Sequence, residues 1–137
     1  MITSSILGQD DRLRFFPSIT KQYIFFEQAV YHFFEKMCED YDGAYWEFVE
    51  LDNGGKFLYP RGKDIWHLVN STTQESHDLS AEAAGICVTL ITLSYYAMNA
   101  WEQEDQIELN KLAILEQQLY QYAMQLSEAD NIRNIIN

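Results

Sequence analysis

The chain has 137 residues, with nine basic and 21 acidic side chains and a formal charge of −12. Affinity for nucleic acid comes mainly from cationic contacts to phosphate, so direct DNA or RNA binding is disfavoured, and docking to an anionic membrane is disfavoured likewise. With 47% hydrophobic and 15% aromatic residues, residues 1–137 are expected to form one domain that buries roughly two thirds of its unfolded surface.

Met1 to Phe16 lacks a basic stretch followed by an apolar one, so no secretory signal is expected. Residues 1–10 are expected to be loosely ordered. After Pro17-Ser18, helical spacing places Ile19, Tyr23, Phe26, Val30, Phe33, Phe34, Met37 and Tyr41 on one face, predicting a helix over about residues 18–40.

The period then changes. Asn53-Gly54 is the signal of a two-residue type I′ turn, whose central positions both need positive φ. A turn centred there pairs Phe48 with Tyr59 and Glu50 with Phe57, and puts Trp46, Phe48, Phe57 and Tyr59 on one face. Asp64–Asn70 is a third strand after a turn at Pro60-Arg61-Gly62, and Ser71–Asp78 reads as a loop.

Ser80 is a good N-cap for the most apolar run, Ala83–Met98, which is short for a membrane span of about 20 residues and reads as a central core helix. A break near Asn99–Glu104 leads to a last long helix with the stripe Leu112, Leu115, Leu119, Tyr122 and Leu126, followed by one short turn. The expected fold class is α+β: a small antiparallel sheet of about three strands among three main α-helices.

No chemistry stands out. His32, His67 and His77 lack metal-ligand spacing, and Cys38 and Cys87 sit in apolar segments, where burial makes a thiol inert. Two thiols so far apart read as free cysteines of a reducing compartment, so a cytoplasmic location is expected. Asn53-Gly54-Gly55 lacks the Gly-Lys-Ser/Thr ending of a phosphate loop. Glu47 and Glu50 read as solvent-facing strand residues. No catalytic, cofactor-binding or metal-binding residue is assigned, and no cofactor is expected.

What remains is charge. Residues 65–137 hold ten acidic side chains and only Lys111 and Arg133 as bases. Glu102, Glu104, Asp105 and Glu108 crowd together with no base among them. Such a row could face a groove built for phosphates, although acids also favour a helix N-terminus for its dipole.

Several stretches resemble the ArdB/KlcA family of antirestriction proteins: Arg12–Pro17 (RLRFFP), Cys38–Phe48 (CEDYDGAYWEF), Leu51–Gly55 (LDNGG) with Pro60 at the matching distance, and Ser80–Ile86 (SAEAAGI). The resemblance spans roughly residues 12–101, with no signature in the last helix. Tyr41, Gly43, Trp46, Phe48, Asn53, Gly54, Gly55 and Pro60 form its core motif, expected to be structural. Ala44 and Lys56 depart from the pattern, where a glycine and an aromatic are common.

The resemblance implies a protein of plasmids, phages or integrated elements that counteracts type I restriction-modification without chemistry of its own. Its partner would be the type I restriction-modification complex or an associated host factor, with Glu102, Glu104, Asp105 and Glu108 as candidate contacts. The chain is expected to be a monomer. The competing readings are an acidic adaptor or inhibitor of another DNA-binding protein, and a small hydrolase with a site near Glu47, His67 or Cys87.

Overall fold

A helix as apolar as Ala81–Glu102 needs cover on most of its sides, and the rest of the chain supplies it. The computed structural model describes residues 1–137 and is α+β. In chain order come β1 (Ser4–Ile6), α1 (Gln9–Arg12), α2 (Phe15–Ile19), α3 (Tyr23–Met37), β2 (Trp46–Leu51) and β3 (Lys56–Pro60). Then follow β4 (Ile65–Val69), β5 (Ser76–Ser80), α4 (Ala81–Glu102), α5 (Gln106–Ala123) and α6 (Ala129–Ile136). The strands form two antiparallel sheets, β1-β2-β3 and β4-β5.

Helix α4 is the axis. Ser80 caps it as expected, its Oγ accepting from Ala83 N at 3.2 Å. Glu128 locks the cap by accepting from Ser80 N (2.8 Å) and Ser80 Oγ (2.6 Å). Residues Ala83 to Leu90 are all buried. The two threonines in this apolar helix are satisfied internally: Thr89 donates to Gly85 O and Thr92 to Val88 O, each at 2.7 Å. By length and composition α4 could cross a membrane, yet 67% of its most apolar window is buried inside the protein.

Several expectations are corrected. Ser4–Ile6, placed in a loose end, pair with β2 in the register Ser4 to Leu51 and Ile6 to Val49. The helix expected over 18–40 is two helices separated by Thr20–Gln22. Thr20 is extended because its hydroxyl and the Lys21 N–H (3.0 Å) both donate to Glu108, a carboxylate far away in sequence. Asp64–Asn70 does hold a strand, β4, but it pairs with Ser76–Ser80, which begins inside the supposed loop, and makes a second sheet. The short C-terminal turn is the eight-residue helix α6.

The hairpin differs as well. Phe48 faces Leu58, Val49 faces Phe57 and Glu47 faces Tyr59, one residue away from the expected register. Phe48 and Tyr59 therefore lie on opposite faces. Gly54 has φ +96 while Asn53 stays at negative φ, so the turn is not type I′. Gly54 N donates to Leu51 O (3.0 Å) and Leu51 N to Gly55 O (2.8 Å), the pattern of a three-residue loop with a glycine bulge. Asn53 is held there by its own side chain: Oδ1 accepts from Gly55 N (3.0 Å) and Nδ2 donates to Gln118 O of α5 (2.9 Å).

Both faces of this sheet are covered. Phe48 stacks on Phe15 with ring centroids 4.6 Å apart and meets the edge of Phe16. On the other face Phe57 lies near-parallel to Tyr122 of α5, and α4 comes so close that a Cβ on Gly85 would sit 2.2 Å from Leu58 O.

Candidate interaction surfaces

The motif stretch builds an aromatic corner. Trp46 Nε1 donates to the Tyr41 hydroxyl (3.2 Å). Phe34 of α3 presents its ring edge-on to Tyr41, Trp46 and Trp66 at 5.0, 5.2 and 5.5 Å. Gly43 turns the chain at φ +87 just before β2. Pro60 faces Trp46 across the hairpin.

Arg12 joins this corner from the N-terminal segment. Its Nη2 donates to Trp46 O (2.9 Å) and its guanidinium lies 3.9 Å above the Phe48 ring and 5.0 Å from that of Tyr45. Its Nη1 is buried without a hydrogen bond, 3.6 Å from Glu47. Glu47 is consequently not solvent-facing as expected: it is drawn between Arg12 and Arg61 and only 16% of its side chain is exposed. Next to Trp46, Tyr31 donates to Glu27 (3.0 Å), and burial, reinforced by the Glu27 charge, pushes the Tyr31 hydroxyl pKa up. An open pocket of about 350 Å³ lies among Arg12, Glu27, Tyr31, Tyr41 and Tyr45. In the sequence Arg12 stands out only as part of a motif; nothing local signals that it reaches a strand 34 residues on.

The acidic row divides in two. Glu102 and Glu104 are exposed, and Glu104 adopts φ +57 at the break between α4 and α5. Asp105 caps α5, accepting from Glu108 N (3.2 Å), and pairs with Lys21. The Lys21 hydrogen bond, then that of the Glu108 N–H, lowers the Asp105 pKa. Glu108 is only 8% exposed. Burial pushes its carboxyl up, but the bonds from Thr20 and Lys21 N–H and the charge of Lys111 outweigh it, and the pKa falls. The expected absence of a neutralising base is corrected by Lys21, which arrives from the α2–α3 link. Glu108 cannot present its charge to a partner.

The groups weighed for catalysis stay apart. Cys38 and Cys87 are buried and unpaired, and burial raises both thiol pKa values. His67 pairs with Asp78 at 2.7 Å, whereas His77, opposite Leu68 and on the other face of β4-β5, contacts Glu75 and Asn134. The surfaces can offer cation–π stacking, carboxylates and apolar contact, which are the means of binding another macromolecule.

A family described as "Antirestriction protein" matches residues 39–137, extending through the last helices where the sequence showed no signature. The Escherichia coli K12 protein YfjX is 33% identical over 93% of this chain and 83% of its own length. An Escherichia coli antirestriction protein KlcA is 33% identical over 70% of this chain and 69% of its own. A solved structure, described as showing that "the KlcA and ArdB proteins show a novel fold and antirestriction activity against Type I DNA restriction systems in vivo but not in vitro", superposes with TM-score 0.87. It is 29% identical, covering 99% of this chain and 95% of that one. On the family match and the whole-length likeness together, the chain belongs to the antirestriction protein family.

Proposed function

We propose that the protein counteracts type I restriction-modification in the cell by binding, without chemistry of its own. The observation that carries this is the near-complete superposition on a protein described as antirestriction-active against type I systems in vivo. That description adds "but not in vitro". Activity in vivo but not in vitro favours contact through an associated host factor over direct contact with the restriction complex. The two buried thiols and the separated histidines support a non-catalytic mode.

We place the protein in the cytoplasm of a cell carrying a plasmid, phage or integrated element, as one 137-residue domain acting as a monomer. The shared core of 33 buried residues, running from Phe15 to Ile135, supports the single domain. In the acidic row, Glu102, Glu104 and the outer edge of Asp105 are the contacts available to a partner, with Glu108 supporting them from below.

The test plates unmodified phage on a type I restricting host with and without the gene. The expected result is a rise in plating efficiency of at least tenfold, with none on a non-restricting host. No rise would turn the reading toward an acidic inhibitor of another DNA-binding protein. Converting Glu102 and Glu104 to Gln should weaken the effect; full plating by that variant would remove the acidic end as the contact.

A further inference from the structure

The outer side of the α4–α5 pair is bare, and it is not flat. Along α4, Ser94, Ala97, Met98 and Trp101 follow helical spacing; along α5, Leu109, Ala113 and Glu116 do the same. Between these stripes runs an open groove of about 500 Å³. A second depression of about 330 Å³ shares Ser94 and Glu116 and continues it toward Leu90 and Tyr120. From Leu90 to Trp101 the trough is about 16 Å long, roughly three helical turns. At the Trp101 end its walls are apolar and accessible, Met98 being 58% and Trp101 64% exposed, while the Leu90 end is more polar and closes against Ile136 and Asn137. Small residues at 94, 97 and 113 leave room for another backbone to come close.

The charge around this apolar floor has one sign. No lysine or arginine lines the trough, and α4 contains none at all. The lysine of α5, Lys111, turns to Glu108 at 3.5 Å. Glu102 and Glu104 stand at one end, beside the negative end of the α4 dipole. Glu116 stands in the middle, half-buried and with no ion pair. Its burial raises its pKa with nothing to offset it.

We propose that the α4–α5 trough is a docking surface for a basic amphipathic helix of a partner protein. An apolar stripe of that helix would lie on Ala97, Met98, Trp101 and Ala113, and its flanking lysines or arginines would meet Glu116, Glu102 and Glu104. A second copy of this chain is the wrong occupant, since it would bring another −12 formal charge and the same acidic rim. The inference rests on the reading that the protein acts by binding, and supplies the chemistry of what it binds.

The probe is a fluorescent synthetic helix with leucines on one face and lysines on the other, titrated by anisotropy against the full chain. A scrambled peptide of identical composition serves as control, since any lysine-rich peptide is drawn to an acidic protein. Binding should weaken at least tenfold for the scrambled peptide. It should weaken as much for the Met98→Gln/Trp101→Gln variant, which keeps the charge and alters only exposed side chains, and for Ala113→Gln, which narrows the trough. Equal binding by scrambled peptide or by both variants would overturn the proposal in favour of charge alone. So would self-association of the wild type, or its capture by zwitterionic vesicles, if either is abolished by those substitutions. Phage plating remains a separate readout. Lost plating gain with intact peptide binding fails the antirestriction reading, and lost peptide specificity with intact plating fails the trough.

Discussion

The β2–β3 hairpin and the outer face of α4–α5 are both rich in aromatic and aliphatic side chains, yet their circumstances are opposite. In the hairpin Trp46, Phe48, Val49, Leu51, Phe57, Leu58 and Pro60 are all buried, covered by α2 on one face and by α4 and α5 on the other. On the outer face Met98 and Trp101, which line the trough, are each more than half exposed. The hairpin's aromatic side chains are therefore spent on packing, whereas the outer side of the two helices keeps apolar side chains that this packing leaves uncovered. Such contiguous apolar exposure is the surface that the proposed helix would cover, with about 1.5–3 kcal/mol available for each side chain fully buried on docking.

The contrast is most vulnerable at Gly85, where α4 meets the hairpin. A methyl there would lie 2.2 Å from Leu58 O and 2.5 Å from Tyr59 Cα, both backbone atoms that cannot rotate away. Gly85→Ala should cost about 3 kcal/mol or more in urea unfolding, despite the better helix propensity of alanine. A wild-type midpoint would mean that helix and hairpin are not packed this closely.

Gly54→Val comes next, at about 2 kcal/mol. It forces a β-branched residue to φ +96 and drives its Cβ to within 2.8 Å of Gln118 Nε2. A melting temperature equal to wild type would count against the bulged turn. Its Gln118 contact is with a flexible side chain, so most of the cost is backbone strain.

Glu108 tests the acidic end. Glu108→Ala leaves the Thr20 hydroxyl and Lys21 N–H without their acceptor and should cost about 1–2 kcal/mol. The folded pKa values of Glu108 and Asp105 are lowered, so their contribution is present above the unfolded carboxylate range of about 4. It is lost as pH falls through the folded values. Wild type should thus lose stability on acidification from pH about 5 to about 3 more steeply than Glu108→Ala. Parallel pH profiles by chemical denaturation would remove Glu108 from this role.

The smallest effect belongs to the bare face. Trp101→Gln, at a residue 64% exposed, should change stability by no more than about 0.5 kcal/mol. A loss of several kcal/mol would show that this face carries folding energy after all, and the contrast with the hairpin would collapse.

Short-range features were legible along the chain. Ser80 caps α4 because a hydroxyl three residues before a free N–H needs no distant partner. The burial of α4 is legible because apolar residues occupy nearly every position of Ala83–Met98. The family motif and the α+β class were legible too, as was the site of the hairpin turn. Long-range packing settled what local rules leave degenerate. The hairpin register shifted by one because the sheet is covered on both faces, so alternation carries no preference for either. The choice fell to Asn53, whose bond to Gln118 O spans 65 residues. The break of the first long helix and the quenching of half the acidic row come from one long-range junction, in which Lys21 meets Asp105 across 84 positions and Thr20 meets Glu108 across 88. Periodicity and composition describe a segment's own faces. Which distant side chain closes on those faces is set only when the whole core has assembled.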